Sequence, residues 1–214
     1  MHIEFIVEDS SGAALLDLLI PKIIGPFSEP HTWRTHAYRG IGTIPKGLKA
    51  GSDARKRMLL NQLPRLLGGY AKTAGIDAVV VVVDSDRKDC RSFLGELKDL
   101  AVASGLPDTL FRIAIEEIEA WYLGDQVAIQ AAYEKAKLKY LSKYQQDSVC
   151  GTWELLADAV SPGGVRAVNK LGWPRPGELK HEWASRIGPH MDIERNASPS
   201  FNKLVEGLRR MAGV

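Results

Sequence analysis

Acidic side chains follow three of the predicted strands, at the point where each strand ends. They are Glu8 and Asp9 after the first strand, Asp84 and Asp86 after a run of valines, and Glu116, Glu117 and Glu119 after a later strand. If these strands are parallel, their carboxyl ends meet at one edge of the sheet. Neighbouring strands lie about 4.8 Å apart, so adjacent ends can share one ion. Oxygen ligands without His or Cys favour Mg²⁺ or Mn²⁺.

Each of these acids also has a purely structural alternative. Asp9 can cap the helix that follows it, and either Asp86 or Asp89 can cap the helix after the valine strand. Glu116 or Glu119 can simply face water. Only the combination of three acid-bearing strand ends on one edge indicates a metal site.

Strands alternate with helices over the first part of the chain, which predicts a parallel sheet with right-handed crossovers. The predicted strands are 2–8, 31–39, the valine run that begins at Ala78, and 110–116; the predicted helices are 10–24, 53–72 and 90–104. The valine run is apolar on both faces, as a central parallel strand must be. A short helical stretch, "EIEAWYLGD", follows the fourth strand.

The strand signal disappears beyond Gln126, where Pro and Gly separate only helical segments. These segments lie near 126–140, 151–160, 164–171, 177–187 and 200–212. We therefore predict an α/β core over residues 1–125 and a helical extension over 126–214 that packs on it.

Aromatic and hydroxyl side chains in this second part have expected structural roles. Trp121 is expected in the core rather than as a stacking platform. Trp153, Trp173 and Trp183 are expected to pin the extension to the core, and Ser198 and Ser200 to cap the final helix.

Positive charge is concentrated in one segment, although the net charge of the 214-residue chain is only +2. Residues 31–74 hold nine Lys or Arg against one acid, Asp53. Such an excess suits a partner that carries phosphates, and a solvated basic face is the alternative. We expect this segment to contact the backbone of a nucleic acid.

Membrane and disulfide classes are disfavoured by the sequence. No apolar run approaches the roughly 18 residues that cross a bilayer, and "MHIEFIVEDSS" does not read as a signal peptide. Cys90 and Cys150 are 60 residues apart without a CxxC pair. The expected location is the cytoplasm.

Two known arrangements of strand-end acids fit the sequence poorly. A receiver domain has "VED" on its first strand, but its acceptor strand follows sooner than the third strand does here. Haloacid-dehalogenase-like phosphatases carry a DxD on the first strand, followed by Thr or Val. This chain has its DxD on the third strand, with Arg87 after it.

The combination of "FIVED" before a helix and "VVVVVDSD" on the third strand resembles the Toprim domain of topoisomerases, primases and related nucleases. The resemblance covers about the first 120 residues. It implies that Glu8, Asp84 and Asp86 bind Mg²⁺. Two positions depart from that pattern: Asp9 replaces the usual Gly, and the second acid of some Toprim nucleases falls on Gly12.

A closer resemblance rests on "RIAIEEIEAWYLGD" and "NASPSFNKLVEGL". These stretches look like an uncharacterised bacterial Toprim-like family, a domain of unknown function. The resemblance implies that Glu117 and Glu119 complete the acidic cluster. It also implies a gene neighbourhood with ABC-type ATPases, as in phage-defence modules.

The expected activity is Mg²⁺- or Mn²⁺-dependent cleavage of phosphodiesters in nucleic acid, with Glu8, Asp84, Asp86 and Glu117 as catalytic residues. Lys88 and Lys203 are the candidate cations for the transition state. The alternative is a regulatory or effector subunit that docks on an ATPase and binds a metal or nucleotide without turnover.

Overall fold

A four-stranded parallel sheet forms the centre of the computed structural model, which describes residues 1–45 and 58–214. Its strands are β1 (His2–Val7), β2 (Thr32–Ala37), β3 (Ala78–Asp84) and β4 (Leu110–Ala114). The helices are α1 (Ser10–Ile24), α2 (Leu59–Tyr70), α3 (Cys90–Ala103), α4 (Glu119–Leu123), α5 (Gln126–Ala132), α6 (Leu138–Leu141), α7 (Thr152–Val160), α8 (Gly164–Leu171), α9 (Arg175–Ile187) and α10 (Pro199–Ala212).

The strand order is β2-β1-β3-β4. The chain therefore adds β2 on one side of β1 and then β3 and β4 on the other side, so the order of the strands reverses between β1 and β3. Val7 pairs with Val82 in this register, and Asp84 pairs with Ala114. Ligands of open α/β sheets bind outside the carboxyl ends of the strands at such a reversal. The fold therefore places its natural binding crevice beside Glu8 and Asp84.

Hydrophobic side chains cover both faces of the sheet. On one face, α2 and α3 pack against the odd-numbered valines Val79, Val81 and Val83 of β3. On the other face, Val80 and Val82 belong to a cluster that includes α1 and the later helices. The valine run is therefore buried on both sides, as a central strand requires. The predicted α/β class, with a doubly wound parallel sheet and a C-terminal helical extension, is confirmed and is consistent with a Toprim-like fold.

Side-chain caps begin the helices that border the carboxyl edge of the sheet. Asp9 accepts a hydrogen bond from the Gly12 amide at 2.7 Å and caps α1. Asp89, not Asp86, caps α3 through the Ser92 amide at 2.8 Å. Both caps satisfy amides that have no partner within the helix.

The final helix, α10, begins at a serine cap, as predicted. Ser198 is its N-cap and accepts from the Phe201 amide at 3.2 Å. The Ser200 hydroxyl instead accepts from the indole of Trp121 at 3.0 Å. This bond joins the final helix to α4, the first helix after the sheet.

The helical extension shares one hydrophobic cluster with the sheet, because α9 and α10 pack on α1. Trp121 and Trp183 are fully buried within it, and Trp153 is partly buried. The expectation for Trp121 is therefore confirmed. The expectation for Trp173 is wrong, because this side chain is 83% exposed. The division at residue 125 stays a prediction.

Several element boundaries differ from the sequence prediction. The segment 126–140 is split into α5 and α6, because Tyr133 turns out of the helix and packs its ring on Arg186 of α9. The fourth strand ends at Ala114, before the predicted end at residue 116. Residues 53–57 of the predicted basic helix lie outside the described residues.

None of the helices in the described ranges is long and apolar enough to cross a membrane.

Candidate active site

Glu8 and Asp84 meet where β1 and β3 end. The Glu8 amide donates to the Val82 carbonyl at 3.2 Å, which continues the strand pairing by one residue. Its carboxylate then accepts a hydrogen bond from the Asp84 amide at 3.0 Å. This bond fixes the Glu8 side chain across the reversal point of the sheet.

Both carboxyl groups titrate abnormally because they are withdrawn from water close to one another. Burial raises the pKa of Glu8 to about 7, and the charges of Asp86 and Asp9 add to that rise. Burial raises the pKa of Asp84 well above its ordinary value, and the charge of Glu8 is the next largest cause. A cation bound between them would relieve this repulsion.

Asp86 lies on the exposed loop after β3. Its backbone is left-handed, with a φ of 50°, and its amide donates to the Glu116 carbonyl at 2.9 Å. Asp86 lines a cavity of about 470 Å³ that Glu116 and Glu117 also line. Its charge helps to raise the pKa of Glu8, and the capping role that it could have had at α3 belongs to Asp89.

Glu116 has a structural role that the sequence did not reveal. Its carboxylate accepts hydrogen bonds from the Gly151 amide at 2.9 Å and the Thr152 amide at 2.8 Å, where α7 begins. An anion at a helix N-terminus is stabilised by the unpaired amides and the helix dipole. Glu116 therefore ties the fourth strand end to the extension.

Glu117 and Glu119 share one cation, Lys180 of α9. The ammonium lies 3.4 Å from Glu117 and 3.3 Å from Glu119. Burial raises the pKa of Glu117 to about 7, and burial also raises the pKa of Glu119, whose residue is 2% exposed. Burial alone would lower the pKa of Lys180, but Glu119, Glu117 and the nearby aspartates raise it. Lys180, which is partly buried, is thus the cation of this carboxylate pair.

The two predicted cations lie elsewhere. Lys88 rests on the ring of Phe93, 4.2 Å from its centroid. Lys203 is exposed on α10, and its ammonium offsets part of the rise that burial causes in the pKa of the Cys90 thiol. Lys203 therefore faces the beginning of α3, and its catalytic role stays a prediction.

Close packing at Gly12 leaves no room there for the side chain of an acid. A Cβ atom at this position would lie 2.8 Å from Ile118 Cδ1 and 3.1 Å from Val7 Cγ1. Ile118 sits between Glu117 and Glu119, so any side chain at residue 12 would push against the segment that carries them. The first turn of α1 can approach this segment only because residue 12 is glycine.

Gly12→Ala is expected to destabilise the protein by about 1–3 kcal/mol, since it overpacks a buried contact. Gly95→Ala is the matched control in α3, where an added Cβ meets nothing within 4 Å. That control is expected to stabilise the helix by about 0.5–1 kcal/mol. Urea unfolding of both variants measures the difference, and equal effects at the two sites would contradict the packing explanation.

The fit of this edge to a divalent cation is partial. Glu8 and Asp84 supply hard oxygen donors whose raised pKa values signal uncompensated charge. Glu117 and Glu119 are already paired with Lys180. Within residues 1–45 and 58–214, no three or more His, Cys, Asp or Glu side chains are arranged so that they could hold a metal ion. The predicted ligand set therefore stays a prediction, with Glu8 and Asp84 as its best-placed members.

A groove of about 670 Å³ opens directly over Glu8 and Asp9. Its walls come from the segment after β2, which carries Arg39, and from the beginning of α9, which carries Lys180. Glu8 and Asp9 of the acidic edge thus line this groove.

Four of the nine Lys and Arg residues of the basic segment 31–74 lie in its described part, which contains no Asp or Glu. They are Arg34, Arg39, Arg65 and Lys72. The other five cations and Asp53 lie within 46–57, outside the described residues. Of these four cations, Arg39 is the one that, with Glu8, lines the groove.

Lys180 is a residue of this site that sequence reasoning missed, although α9 itself was predicted. The spacing of Lys180 from the apolar residues of α9 could have identified it. Lys180 shares the inner stripe of the helix with Trp183, Ala184 and Ile187, all of which are buried. A lysine within an apolar stripe needs a buried carboxylate partner.

Comparison with curated proteins and with solved structures finds no match. A family model described as a domain of unknown function (DUF4276) matches residues 7–209. The match includes Glu8 and Asp84 and every helix of the extension, apart from the last three residues of α10. The chain therefore belongs to the DUF4276 family of domains of unknown function.

Proposed function

We propose that the protein is a Mg²⁺- or Mn²⁺-dependent phosphodiesterase that acts on nucleic acid. The observation that carries this proposal is the pairing of Glu8 and Asp84 at the reversal point of a parallel sheet. Two carboxyl groups with raised pKa values at that place are suited to a hard cation. The groove that Glu8 lines gives a substrate access to this edge.

In this proposal Glu8 and Asp84 hold the ion, and Asp86 joins them from the adjacent loop. The ion, when bound, would polarise a phosphate and lower the pKa of its bound water. Glu117, with a pKa of about 7, is suited to take up a proton at neutral pH. Lys180 holds Glu117 and Glu119 in place. Arg39 extends the basic segment towards the scissile phosphate.

A second candidate function follows from the ion pairs of Lys180. Because this ammonium already neutralises two of the predicted ligands, the edge resembles a structural charge cluster as well as a metal site. In this alternative the chain is a regulatory or effector subunit that docks on an ABC-type ATPase. A cytoplasmic phage-defence module is the proposed setting for either function.

The direct test is cleavage of labelled DNA and RNA, single-stranded and duplex, by the wild-type protein with Mg²⁺, Mn²⁺ or EDTA. The proposal expects products with either ion and none with EDTA. Thermal unfolding in the same buffers is expected to show a higher Tm with Mn²⁺ than with EDTA, since an ion that binds only the folded state stabilises it.

Calcium is the matched control, because it has the same charge but prefers more ligands and longer bonds. The absence of both cleavage and a metal-dependent rise in Tm, also with a partner ATPase supplied, would refute the enzymatic proposal. That result would favour the docking subunit.

A further inference from the structure

The groove above Glu8 has one wall that is aromatic and exposed. Trp173 lies just before α9 and is 83% exposed, more than the other large hydrophobic side chains of the described ranges. Burying an aromatic side chain of this size would normally contribute a few kcal/mol to stability. An exposed tryptophan that lines a groove offers an aromatic surface to a bound ligand.

Gly177 allows the indole of Trp173 to lie against the first turn of α9. A Cβ atom at residue 177 would lie 3.3 Å from the Trp173 ring, which is closer than an ordinary contact. The six-membered ring of the indole thus lies beside the helix while the side chain stays largely exposed. A ring held in this way can stack a flat partner without first losing much conformational freedom.

The wall after β2 brings positive charge to the same groove. The Tyr38 amide donates to the Val7 carbonyl and the Gly40 amide donates to the Glu8 carbonyl, both at 3.0 Å. These two bonds hold the intervening Arg39 beside Glu8, on the exposed surface. Arg39 is exposed and lines the groove, and a guanidinium forms strong hydrogen bonds with a phosphate.

Polar groups on the α9 wall are held by their neighbours. His181 contacts the Ser10 hydroxyl through Nε2 at 2.8 Å, which fixes the imidazole at the groove. Glu178 is an acid on this wall, and Arg175 lies 3.4 Å from its carboxylate. The groove therefore combines an aromatic platform, a cation and a fixed imidazole beside the acidic edge.

We propose that this groove binds single-stranded nucleic acid, with an unpaired base stacked on Trp173 and the adjoining phosphate held by Arg39. The inference deepens the proposed function, on which it rests, by naming the class of substrate. Base stacking on aromatic side chains is how proteins hold single strands with little sequence preference. The bases of a duplex are stacked on one another, so their faces are closed to Trp173.

The volume and position of the groove agree with this occupant. About 670 Å³ lies within the range of sites that take small ligands, which is enough for one nucleotide. Glu8 and Asp9 lie in the same groove, so a base on Trp173 would carry its backbone towards the acidic edge. The stacked base would thereby set which phosphodiester reaches Glu8 and Asp84.

The test is the binding of fluorescently labelled oligo(dT) and oligo(U), measured by anisotropy in EDTA so that no cleavage occurs. Trp173→Ala is expected to weaken binding about 10-fold on at least one of the two polymers, because one stacked base is lost. Trp173→Phe, which keeps an aromatic face, is expected to bind nearly as well as the wild type. An unlabelled duplex of the same length is expected to compete poorly.

Leu171→Ala is the matched control, because Leu171 is also large, apolar and 68% exposed but does not line this groove. It is expected to bind as the wild type does. An oligonucleotide with abasic sites supplies the second control: wild type and Trp173→Ala are expected to bind it equally. Trp173→Ala binding as tightly as the wild type on both polymers, or an equal loss on the abasic strand, would overturn the proposal.

The result separates this inference from the proposed function. If the wild type cleaves with Mn²⁺ but Trp173→Ala binds every strand normally, the stacking inference fails alone. If binding depends on Trp173 and no metal supports cleavage, the enzymatic proposal fails alone, and the groove remains a single-strand binding site.

Discussion

Replacing Lys180 with methionine is expected to lower the free energy of unfolding by about 3–5 kcal/mol, the range found when one partner of a buried ion pair is removed. Lys180 has a side chain that is 19% exposed and contacts two carboxylates, one of which belongs to a residue that is 2% exposed. Methionine keeps most of the volume of the side chain but leaves Glu119 buried without a cation. Urea unfolding at pH 8 in EDTA measures the loss.

The buried charge, rather than lost packing, is the expected cause of that effect. Adding Glu119→Gln to Lys180→Met is therefore expected to restore a large part of the stability, because no unpaired charge remains. The loss should also shrink as the pH falls, because burial raises the pKa of Glu119 and its protonated form carries no charge. Lys170→Met, an exposed lysine of α8, is the matched control and is expected to stay within about 0.5 kcal/mol of the wild type. A loss that Glu119→Gln does not reduce would contradict the charge explanation.

Asp84→Asn is expected to abolish metal-dependent cleavage, with a fall on the order of 1,000-fold, while making the metal-free protein more stable. The loss of activity follows because a metal-bound transition state is stabilised by several kcal/mol, and each 1.36 kcal/mol changes the rate tenfold. The gain in stability follows because asparagine removes one of two repelling charges at the Glu8 pair. Labelled-strand cleavage and thermal unfolding in EDTA measure the two effects.

The gain in stability has a defined dependence on pH. The pKa of Asp84 is raised in the folded protein, so the folded state retains a proton that the unfolded state releases above its ordinary pKa. The stability that this group contributes is therefore complete at acidic pH and is lost as the pH rises through the folded pKa. The Tm of Asp84→Asn should exceed that of the wild type more at pH 8 than at pH 5.

Two controls separate the metal from the fold in that experiment. Mn²⁺ is expected to raise the Tm of the wild type and to leave that of Asp84→Asn nearly unchanged. Asp108→Asn replaces an exposed acid of the loop before β4 and should alter neither cleavage nor the response to Mn²⁺. Full activity in Asp84→Asn would remove Asp84 from the proposed site.

The parallel sheet and the pairing of two of its acids could be read from the sequence. Six apolar residues ending at Asp84 required a strand buried on both faces, and such strands occur in parallel sheets. Once β1 and β3 are parallel, Glu8 and Asp84 must surface at the same edge. The structure places them one hydrogen bond apart.

Individual acids after the fourth strand could not be assigned in that way. Glu116, Glu117 and Glu119 are nearly equivalent in sequence, but the chain turns through a left-handed conformation at Glu116, with a φ of 62°. This turn sends Glu116 to the start of α7 and leaves the other two for Lys180. The turn is stabilised by the Ser85 hydroxyl, which accepts a hydrogen bond from the Glu116 amide at 2.7 Å. The two residues are 31 positions apart, so the local sequence does not predict this bond.

By itself, the sequence determined the class of fold, the central strand and the edge at which Glu8 and Asp84 emerge, because these follow from periodicity and strand direction. Only the tertiary structure decided that Lys180 neutralises Glu117 and Glu119 and that Trp173 is exposed. It also decided that Lys180 and Trp173 line the groove over Glu8. These contacts join residues far apart in the chain. Their partners are chosen by how α9 packs on α1 and the sheet, which depends on the shapes of many buried side chains at once.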